Sequence, residues 1–270
     1  MHMYDPCDKS NPVYIEVADQ IGYLVLNRPD KRNALTVAMW QALPRLLALL
    51  DDNPQVRVIT VCSSQPEAFC AGADIDTFRR VAGDPAAREE NRLAIRDGQR
   101  ALARTEKPTI ARISGACIGA GCGIAIHCDL RFASSDSRFG ITPAKLGLVY
   151  PLNDTKQLMD LVGPSEAKKL LFTARLIDAE EALRVGLVDD IFPPDRLDAE
   201  TAAFASDMAS RSQYALRGMK KSIRRIMDGQ TDDDAETARW FQDAHSHDDY
   251  HEGVAAFFEK RAPNFSWNGD

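Results

Sequence analysis

The sequence predicts an α/β protein with a helical carboxy-terminal region. Short runs of β-branched and apolar residues alternate with helical patterns in the first part of the chain, whereas helical patterns dominate beyond Pro151. The chain has 270 residues, of which 44% are hydrophobic, so it is long enough to bury a sizeable core. We therefore expect an α/β core over residues 1–195 and a helical region over residues 196–270.

Local patterns and turn residues place the elements along the chain. Strands are expected over residues 13–17, 21–26, 56–62, 109–113, 129–133 and 187–191, with a short extended segment over residues 138–144. Thr36 is expected to cap a helix over residues 37–50, because its side chain can accept a hydrogen bond from a free N–H group. Further helices are expected over residues 86–105, 153–161, 164–172, 178–185, 195–210, 212–228, 233–245 and 248–260.

Charge and composition argue against several classes of protein. The net charge of −7 disfavours nucleic acid and anionic membranes as partners, because both are negatively charged themselves. No apolar run approaches the length of a membrane span, and the residues after Met1 lack the basic and apolar segments of a secretory signal. We therefore expect a cytoplasmic protein that binds neither nucleic acid nor a membrane.

Six cysteines are present, and none belongs to a CxxC pair. Several lie inside apolar runs, where cysteine packs as a small hydrophobic residue, so we expect reduced thiols. Cys70 and Cys122 lie beside glycine-containing turns, and a catalytic thiol at either position is the alternative to plain packing.

Two glycine-containing turns stand out as candidates for chemistry. The first, residues 70–75, follows a predicted strand and opens a helix, and the second, residues 114–123, lies between a strand and a helix. Small residues let a ligand approach the backbone, and a helix start has unpaired N–H groups with a partial positive charge. Two such turns could place two N–H donors on one oxygen and hold a carbonyl that becomes an enolate. Tight packing of strand against helix is the alternative explanation.

The sequence resembles the crotonase (enoyl-CoA hydratase/isomerase) superfamily in an ordered series of motifs from about residue 13 to 265. The matching segments are Asn27–Leu35, Phe69–Ile75, Gly115–Asp129, Phe139–Pro143 with Lys145–Leu148, Ala179–Val188 and Glu252–Arg261. The resemblance implies a spiral of repeated ββα turns that forms two sheets, followed by a helical region for trimerisation. It implies a homotrimer or a dimer of trimers. The implied substrate is an acyl-CoA thioester, with coenzyme A as part of the substrate and no permanently bound cofactor.

The same resemblance assigns roles to individual residues. It implies that the N–H groups of Ala73 and Ala120 form an oxyanion hole, although the second donor is usually a glycine in the family. Coenzyme contacts are implied for Asp30, Lys31, Arg32, Ala71 and Gly72, and for Phe257 and Lys260 towards a neighbouring subunit.

The chain departs from the hydratase pattern at two positions. Hydratases of the family use two glutamates as general acid and base, and the matching positions here are Gly123 and Ala144. The stretch from Ile141 to Tyr150 resembles methylmalonyl-CoA decarboxylases, which also carry a tyrosine at the place of Tyr150. That resemblance is partial, because those enzymes have a histidine where this chain has Ala73 and a glutamate near Gly123.

Several polar residues have a structural and a functional interpretation. Asp74 is expected to cap a helix, with a role as acid or base as the alternative. His127 lies too far along its helix to reach a thioester at the helix start and is expected to be a packed histidine. His245, His247 and His251 form a cluster near a helix junction, for which we expect no metal.

The sequence therefore predicts an enzyme that forms a thioester enolate, with Ala73, Ala120, Tyr150 and Asp74 as its candidate catalytic residues. Decarboxylation of an alkylmalonyl-CoA is preferred, because loss of CO₂ generates the enolate without the missing glutamates. A hydratase or isomerase with other acid/base residues and a non-catalytic acyl-CoA-binding protein are the alternatives.

Overall fold

A computed structural model describes residues 5–269 and has the expected α/β architecture with a helical carboxy-terminal part. Residues 1–4 and 270, the outer ends of the two predicted regions, lie outside it. The strands are β1 (Val13–Ala18), β2 (Ile21–Leu26), β3 (Val58–Ser63), β4 (Ala68–Cys70), β5 (Thr109–Ile113), β6 (Ala116–Ile118), β7 (Leu130–Ser134), β8 (Arg138–Gly140), β9 (Ile177–Asp178) and β10 (Asp190–Phe192). The helices are α1 (Val37–Asp51), α2 (Ile75–Gly83), α3 (Pro85–Arg104), α4 (Ala120–Ala125), α5 (Leu152–Thr173), α6 (Ala179–Arg184), α7 (Leu197–Ala209), α8 (Gln213–Met227), α9 (Ala235–Ser246) and α10 (Asp248–Glu259).

The strands form two sheets that the chain visits alternately. One sheet has six strands in the order β1-β2-β3-β5-β7-β10, and the other has four in the order β4-β6-β8-β9. Three consecutive strand pairs, β3–β4, β5–β6 and β7–β8, each place their first strand in the six-stranded sheet and their second strand in the four-stranded sheet. In both sheets the strands from successive pairs lie next to each other and run parallel. This is the spiral of ββ units expected from the sequence. Its consequence is that the loops after β4 and β6 lie side by side.

Burial of apolar side chains explains the position of α1. Thr36 caps this helix as expected, since its Oγ1 accepts a hydrogen bond from Met39 N at 3.2 Å. Trp40, Leu43 and Leu47 are almost fully buried and belong to one large cluster with residues of β2, β3 and β5. Burying such a side chain contributes roughly 1.5–3 kcal/mol each, so this helix is held to the sheet mainly by its apolar face.

The structure moves the last predicted strand and bears on two predicted divisions of the chain. The final strand of the six-stranded sheet is Asp190–Phe192, rather than residues 187–191, because its pairing with β7 selects that register. Within α5 the backbone of Gly163 is not helical, with φ 75° and ψ 163°, so the break predicted between helices 153–161 and 164–172 is present. Beyond residue 195, α7 still packs on the six-stranded sheet through Leu197, Ala205 and Ala209. The predicted division at residue 195 therefore stays a prediction.

The packing of α4 on β4 depends on Gly121. A β-carbon at this position would lie 2.6 Å from the carbonyl oxygen of Cys70 and 2.9 Å from its β-carbon. Both distances are shorter than van der Waals contact, so only glycine lets the two elements approach this closely. Because Cys70 begins the first glycine-containing turn and α4 starts within the second, this contact sets the spacing of the two turns.

Gly121→Ala is therefore expected to destabilise the protein by about 1–3 kcal/mol, because the carbonyl of a buried strand cannot move away from the added methyl group. Urea unfolding would measure the difference. Gly218→Ala is the matched control, since Gly218 lies inside α8 with no neighbouring atom within 4 Å of an added β-carbon. The control is expected to be neutral or stabilising by up to ~1 kcal/mol. Equal stability of the two variants would contradict the proposed close contact.

Candidate active site

The two glycine-containing turns are in contact. Residues 71–74 connect β4 to α2, and Gly119 connects β6 to α4. A β-carbon on Gly119 would lie 4.0 Å from Cα of Gly72, and one on Gly72 would lie 3.5 Å from the carbonyl oxygen of Ile118. Both glycines have positive φ, 119° at Gly72 and 52° at Gly119, which other residues rarely adopt. The backbones of the two turns thus approach each other without intervening side chains.

The N–H group of Ala73 is directed away from the chain segment beside it. Leu35 forms an isolated parallel bridge to this turn: its N–H donates to Gly72 O at 2.8 Å, and its carbonyl accepts from Asp74 N at 2.9 Å. Ala73 lies between Gly72 and Asp74, and in a parallel bridge the N–H of such a residue points away from the paired segment. The N–H of Ala73 is therefore left available on the side away from Leu35.

The N–H group of Ala120 is available for a different reason. Ala120 is the first residue of α4, so its N–H has no partner within the helix. The preceding residue, Gly119, has no side chain that could cap the helix start. Donors on two turns in contact are what an oxyanion hole requires, and they can stabilise negative charge on a carbonyl oxygen.

The segment expected to contact the coenzyme nucleotide lies next to the first turn. Pro29–Lys31 form a short 3-10 helix, and Arg32 and Asn33 follow with positive φ. The carbonyl of Arg32 accepts a hydrogen bond from Ala71 N at 2.9 Å, and the buried side chain of Asn33 donates to Ala68 O at 3.0 Å. The side chains of Asp30, Lys31 and Arg32 are exposed. The structure thus brings these predicted coenzyme-binding residues together with Ala71 and Gly72.

Asp74 has a structural position. It is the N-cap of α2, and its Oδ1 accepts hydrogen bonds from the N–H groups of Asp76 and Thr77. Its Oδ2 lies 3.1 Å from the guanidinium of Arg28. Burial acts to raise the pKa of Asp74, but the bonds from Arg28, Thr77 and Asp76 outweigh it and lower this pKa below 3.8. An ionised, fully bonded carboxylate suits the capping role better than proton transfer.

Phe257 and Lys260 lie on a separate surface. Phe257 is on α10 and is 79% exposed, and Lys260 ends that helix in the left-handed conformation. Phe257 lines a groove of about 610 Å³ together with aromatic residues from α8 to the carboxy terminus. The residues that line this groove come from positions 212 to 265, and none of them belongs to the two turns. This placement is compatible with the expectation that they reach the site of another subunit.

Comparison with known proteins decides the family. Residues 16–268 match the model of the family described as enoyl-CoA hydratase/isomerase. The chain belongs to this family. It is 35% identical to the crotonyl-CoA hydratase of Syntrophomonas wolfei, over 94% of this chain and 97% of the relative. It is 32% identical to the peroxisomal Delta(3,5)-Delta(2,4)-dienoyl-CoA isomerase of Arabidopsis thaliana, over 90% and 92%.

A solved structure supports the same assignment. The chain superposes on an enoyl-CoA hydratase/isomerase family protein from Hyphomonas neptunium with a TM-score of 0.93 and 38% sequence identity, covering 95% of this chain and 98% of the other. The predicted membership of the crotonase superfamily and the predicted fold are therefore confirmed.

Two positions that carry glutamates in family hydratases have no carboxylate here. Ala144 is exposed in the short 3-10 helix Pro143–Leu146. Gly123 lies in α4, and a β-carbon there would be 2.9 Å from Nε2 of Gln99. The Gln99 side chain, which comes from α3, therefore occupies the space beside position 123.

Tyr150 lies where the sequence placed it, just before α5, and packs against the main core. Its hydroxyl oxygen is buried and has no hydrogen-bond partner among the described residues. Burial, and secondarily the neighbouring Asp154, raises the pKa of Tyr150 well above its ordinary value, so the hydroxyl stays protonated at neutral pH.

Asp154 is the residue that the sequence analysis missed. It lies in the first turn of α5, is only 2% exposed, and its Oδ1 is buried without a hydrogen-bond partner in residues 5–269. Burial raises the pKa of Asp154 to about 7, although a hydrogen bond from Gln99 acts in the opposite direction. The only sequence signal was its position four residues after Tyr150, and an acidic residue in a first helical turn is usually explained by the helix dipole.

His127 has the packed position expected from the sequence. Its Nδ1 lies 2.7 Å from Gly123 O, which can only accept, so Nδ1 carries the proton. Its Nε2 lies 3.0 Å from Asn153 Nδ2 and accepts from that amide. Burial lowers the pKa of His127 to about 4, with the bond to Gly123 acting against this effect. The ring is therefore neutral at pH 7, and its Nε2 lies 3.8 Å from Asp154 Oδ1.

The thiols and the carboxy-terminal histidines have structural contacts. Burial raises the pKa of Cys70 to about 12, and the Cys122 thiol donates to Cys117 O at 2.9 Å. His247 caps α10 and stacks on Tyr214 at 4.1 Å between ring centroids. Among the described residues, no group of three or more His, Cys, Asp or Glu side chains is arranged to hold a metal ion, and no helix is long and apolar enough to cross a membrane.

Proposed function

We propose that the protein is an enoyl-CoA hydratase or isomerase that acts through a thioester enolate. The observation that carries this proposal is the contact between the two turns, which exposes the N–H groups of Ala73 and Ala120 on neighbouring backbones. When the double bond of the acyl group is attacked or moved, the thioester becomes an enolate and negative charge develops on its carbonyl oxygen. Two fixed N–H donors lower the energy of that charge without reorganising at the moment of reaction.

The reaction type rests on the relatives rather than on the missing glutamates. Relatives with 32–35% identity over nearly the whole chain are named as a crotonyl-CoA hydratase and a dienoyl-CoA isomerase. These names favour the alternative of the sequence analysis over its preferred reaction, decarboxylation. Decarboxylation is retained as a second candidate because Gly123 and Ala144 supply no carboxylate, and loss of CO₂ does not need one.

Coenzyme binding is proposed for the exposed side chains of Asp30, Lys31 and Arg32, with Ala71 and Gly72 beside them. Lys31 and Arg32 offer positive charge for phosphate groups, and the hydrogen bond from Ala71 N to Arg32 O fixes this segment next to the oxyanion turn. The nucleotide and the thioester would thus be bound by adjoining parts of one surface. We propose no permanently bound cofactor and a cytoplasmic location.

We also propose a homotrimer or a dimer of trimers. The helical region exposes large apolar side chains, among them Phe257 and Phe258, at 79% and 78% exposure. Exposing such a patch to water is unfavourable, and it often marks a surface that another protein subunit covers. Burial of this surface between subunits would bring Phe257 and Lys260 towards a neighbouring active site. Sedimentation of the purified protein is expected to give the mass of three or six chains, and a monomer at micromolar concentration would contradict the proposal.

The proposed function is tested by incubating the purified protein with crotonyl-, 3-hydroxyacyl- and methylmalonyl-CoA and following the products by mass spectrometry. A gain of one water by crotonyl-CoA, or its loss from a 3-hydroxyacyl-CoA, is the expected result. Release of CO₂ from methylmalonyl-CoA without hydration would favour the second candidate. Isomerisation leaves the mass unchanged, so it is followed separately by the ultraviolet absorbance of a 3-enoyl-CoA and a 3,5-dienoyl-CoA. Binding of all these thioesters without turnover would identify the remaining alternative, a non-catalytic acyl-CoA-binding protein.

A further inference from the structure

The family's hydratases place a carboxylate on α4, and this chain has Gly123 there. The surroundings of Gly123 are nevertheless polar. Gln99 from α3 lies beside it, and the backbone carbonyl of Gly123 accepts the Nδ1–H of His127. The Gln99 amide also bonds to the carboxyl group of Asp154 from α5. The Gln99 side chain thus connects the position where the family carries its glutamate with the carboxyl group of Asp154.

Two buried polar atoms in this cluster have no partner within the described part of the protein. They are the hydroxyl oxygen of Tyr150 and Oδ1 of Asp154. A buried polar atom without a hydrogen bond destabilises the folded protein, so two neighbouring ones require an explanation. A bound water molecule or a polar atom of a substrate would satisfy both. Tyr150 also lies close to Cys117 and Cys122, which places this pair of atoms next to the start of α4.

His127 does not neutralise Asp154. Its Nδ1–H is donated to Gly123 O, and the lone pair of its Nε2 accepts from Asn153 Nδ2, so the ring is neutral. Nε2 lies 3.8 Å from Asp154 Oδ1, but the ring has neither an N–H group nor a positive charge left to stabilise the carboxylate. The other titratable group that faces Asp154, Tyr150, is protonated at neutral pH. Among residues 5–269 no positively charged side chain pairs with Asp154, and its burial allows the carboxyl group to exchange a proton near pH 7.

We propose that Asp154 is the acid/base residue of the reaction and replaces the carboxylate that is absent at position 123, with Tyr150 orienting the reacting water. This inference rests on the proposed hydratase or isomerase function. In hydration, the Asp154 carboxylate takes one proton from water as the water oxygen bonds to the β-carbon. The electrons of the double bond move to the thioester oxygen and form the enolate. Asp154 then returns its proton to the α-carbon, so the net change is the addition of one water.

The test uses the full-length protein and compares Asp154→Asn with wild type on the thioester that the wild type converts. The variant keeps the shape of the side chain but cannot transfer a proton, so kcat is expected to fall by about 10²–10⁴-fold. Affinity for butyryl-CoA, which lacks the double bond, is expected to stay unchanged. The wild-type kcat is expected to fall below pH 7, because a base must be ionised, and the variant is expected to lose this dependence. Asp160→Asn is the control, since Asp160 lies on the same helix and is paired with Lys156 on its outer side.

Each outcome decides between the two proposals. A variant that works at the wild-type rate with the same pH dependence would overturn the role of Asp154 and leave the proposed function intact. A wild-type protein that converts none of the thioesters would remove the proposed function and this inference with it. If Asp154→Asn does not fold, the wild-type pH profile decides, and a kcat that does not change across neutral pH would overturn the inference.

Discussion

Ala120→Pro is expected to lower kcat by about 10²–10³-fold, the effect of removing one oxyanion-hole donor. Proline has no N–H, so the substitution deletes the proposed donor itself. It is tolerated at the first position of a helix, where the N–H has no partner within the helix and the fixed φ is favourable. The fold should therefore survive while the chemistry is lost. Steady-state kinetics on the thioester converted by wild type, with circular dichroism as the check on folding, measures this effect.

Two control variants make the result specific. Ala120→Gly keeps the N–H and restores the residue usual in the family, so it is expected to work at close to the wild-type rate. Ala235→Pro places the same substitution at the first position of α9, where the residue is exposed and Asp234 caps the helix. This variant is expected to be fully active. An Ala120→Pro protein that keeps its fold and its activity would show that Ala120 is not a donor to the enolate oxygen.

Asp154→Asn is expected to raise the free energy of unfolding at pH 8 by about 4 kcal/mol, from 1.36 kcal/mol for each unit by which the pKa is shifted. Burial raises the pKa of Asp154 from 3.8 to about 7, so the folded state holds the proton more tightly than the unfolded state. Below pH 3.8 both states are protonated and the carboxyl group has no effect. Stability is lost between pH 3.8 and about 7, and the loss is constant above pH 7. The Asn side chain does not ionise and escapes this loss.

His127 gives this prediction a characteristic pH dependence. Burial lowers its pKa from 6.5 to about 4, so the folded state releases the proton and stability rises as pH increases through that interval. In the wild type this rise opposes the loss caused by Asp154. Of these two effects only that of His127 remains in Asp154→Asn, so the stability of the variant relative to wild type should increase with pH.

Urea unfolding at a fixed protein concentration, for wild type, Asp154→Asn and Asp160→Asn, measures both effects. The control should follow the wild type, because Asp160 is partly exposed and paired with Lys156. Identical unfolding free energies for Asp154→Asn and wild type at pH 8 would mean that Asp154 does not ionise against a burial penalty. Stability and catalysis would then have to be explained without this residue.

Helix caps and turns of the site were predictable because they depend on residues that are adjacent in the sequence. The Thr36 and Asp74 caps follow from a polar side chain at a helix start, and both are present in the structure. The two turns follow from small residues between a strand and a helix, and positive φ at Gly72 and Gly119 agrees with that prediction. The break at Gly163 between two helices was also predicted, and the non-helical backbone of this residue agrees with it.

The polar cluster behind α4 was not predictable in the same way. Gln99, Gly123, His127 and Asp154 come from three helices and the segment after α4, and nothing in their spacing indicates that they meet. Asp154 alone has the pattern of an ordinary acidic residue in a first helical turn. Its unusual protonation depends on the side chains that exclude water from it, and these come from distant parts of the chain.

The α/β class, the family and the two turns that present N–H groups could be read from the sequence, because strand and helix periodicity, glycine conformation and ordered motifs are properties of short segments. Which carboxyl group can exchange a proton near neutral pH became visible in the folded protein, because a pKa depends on burial and on charges within a few ångströms. For Asp154, those surroundings are assembled by packing α3, α4 and α5 together.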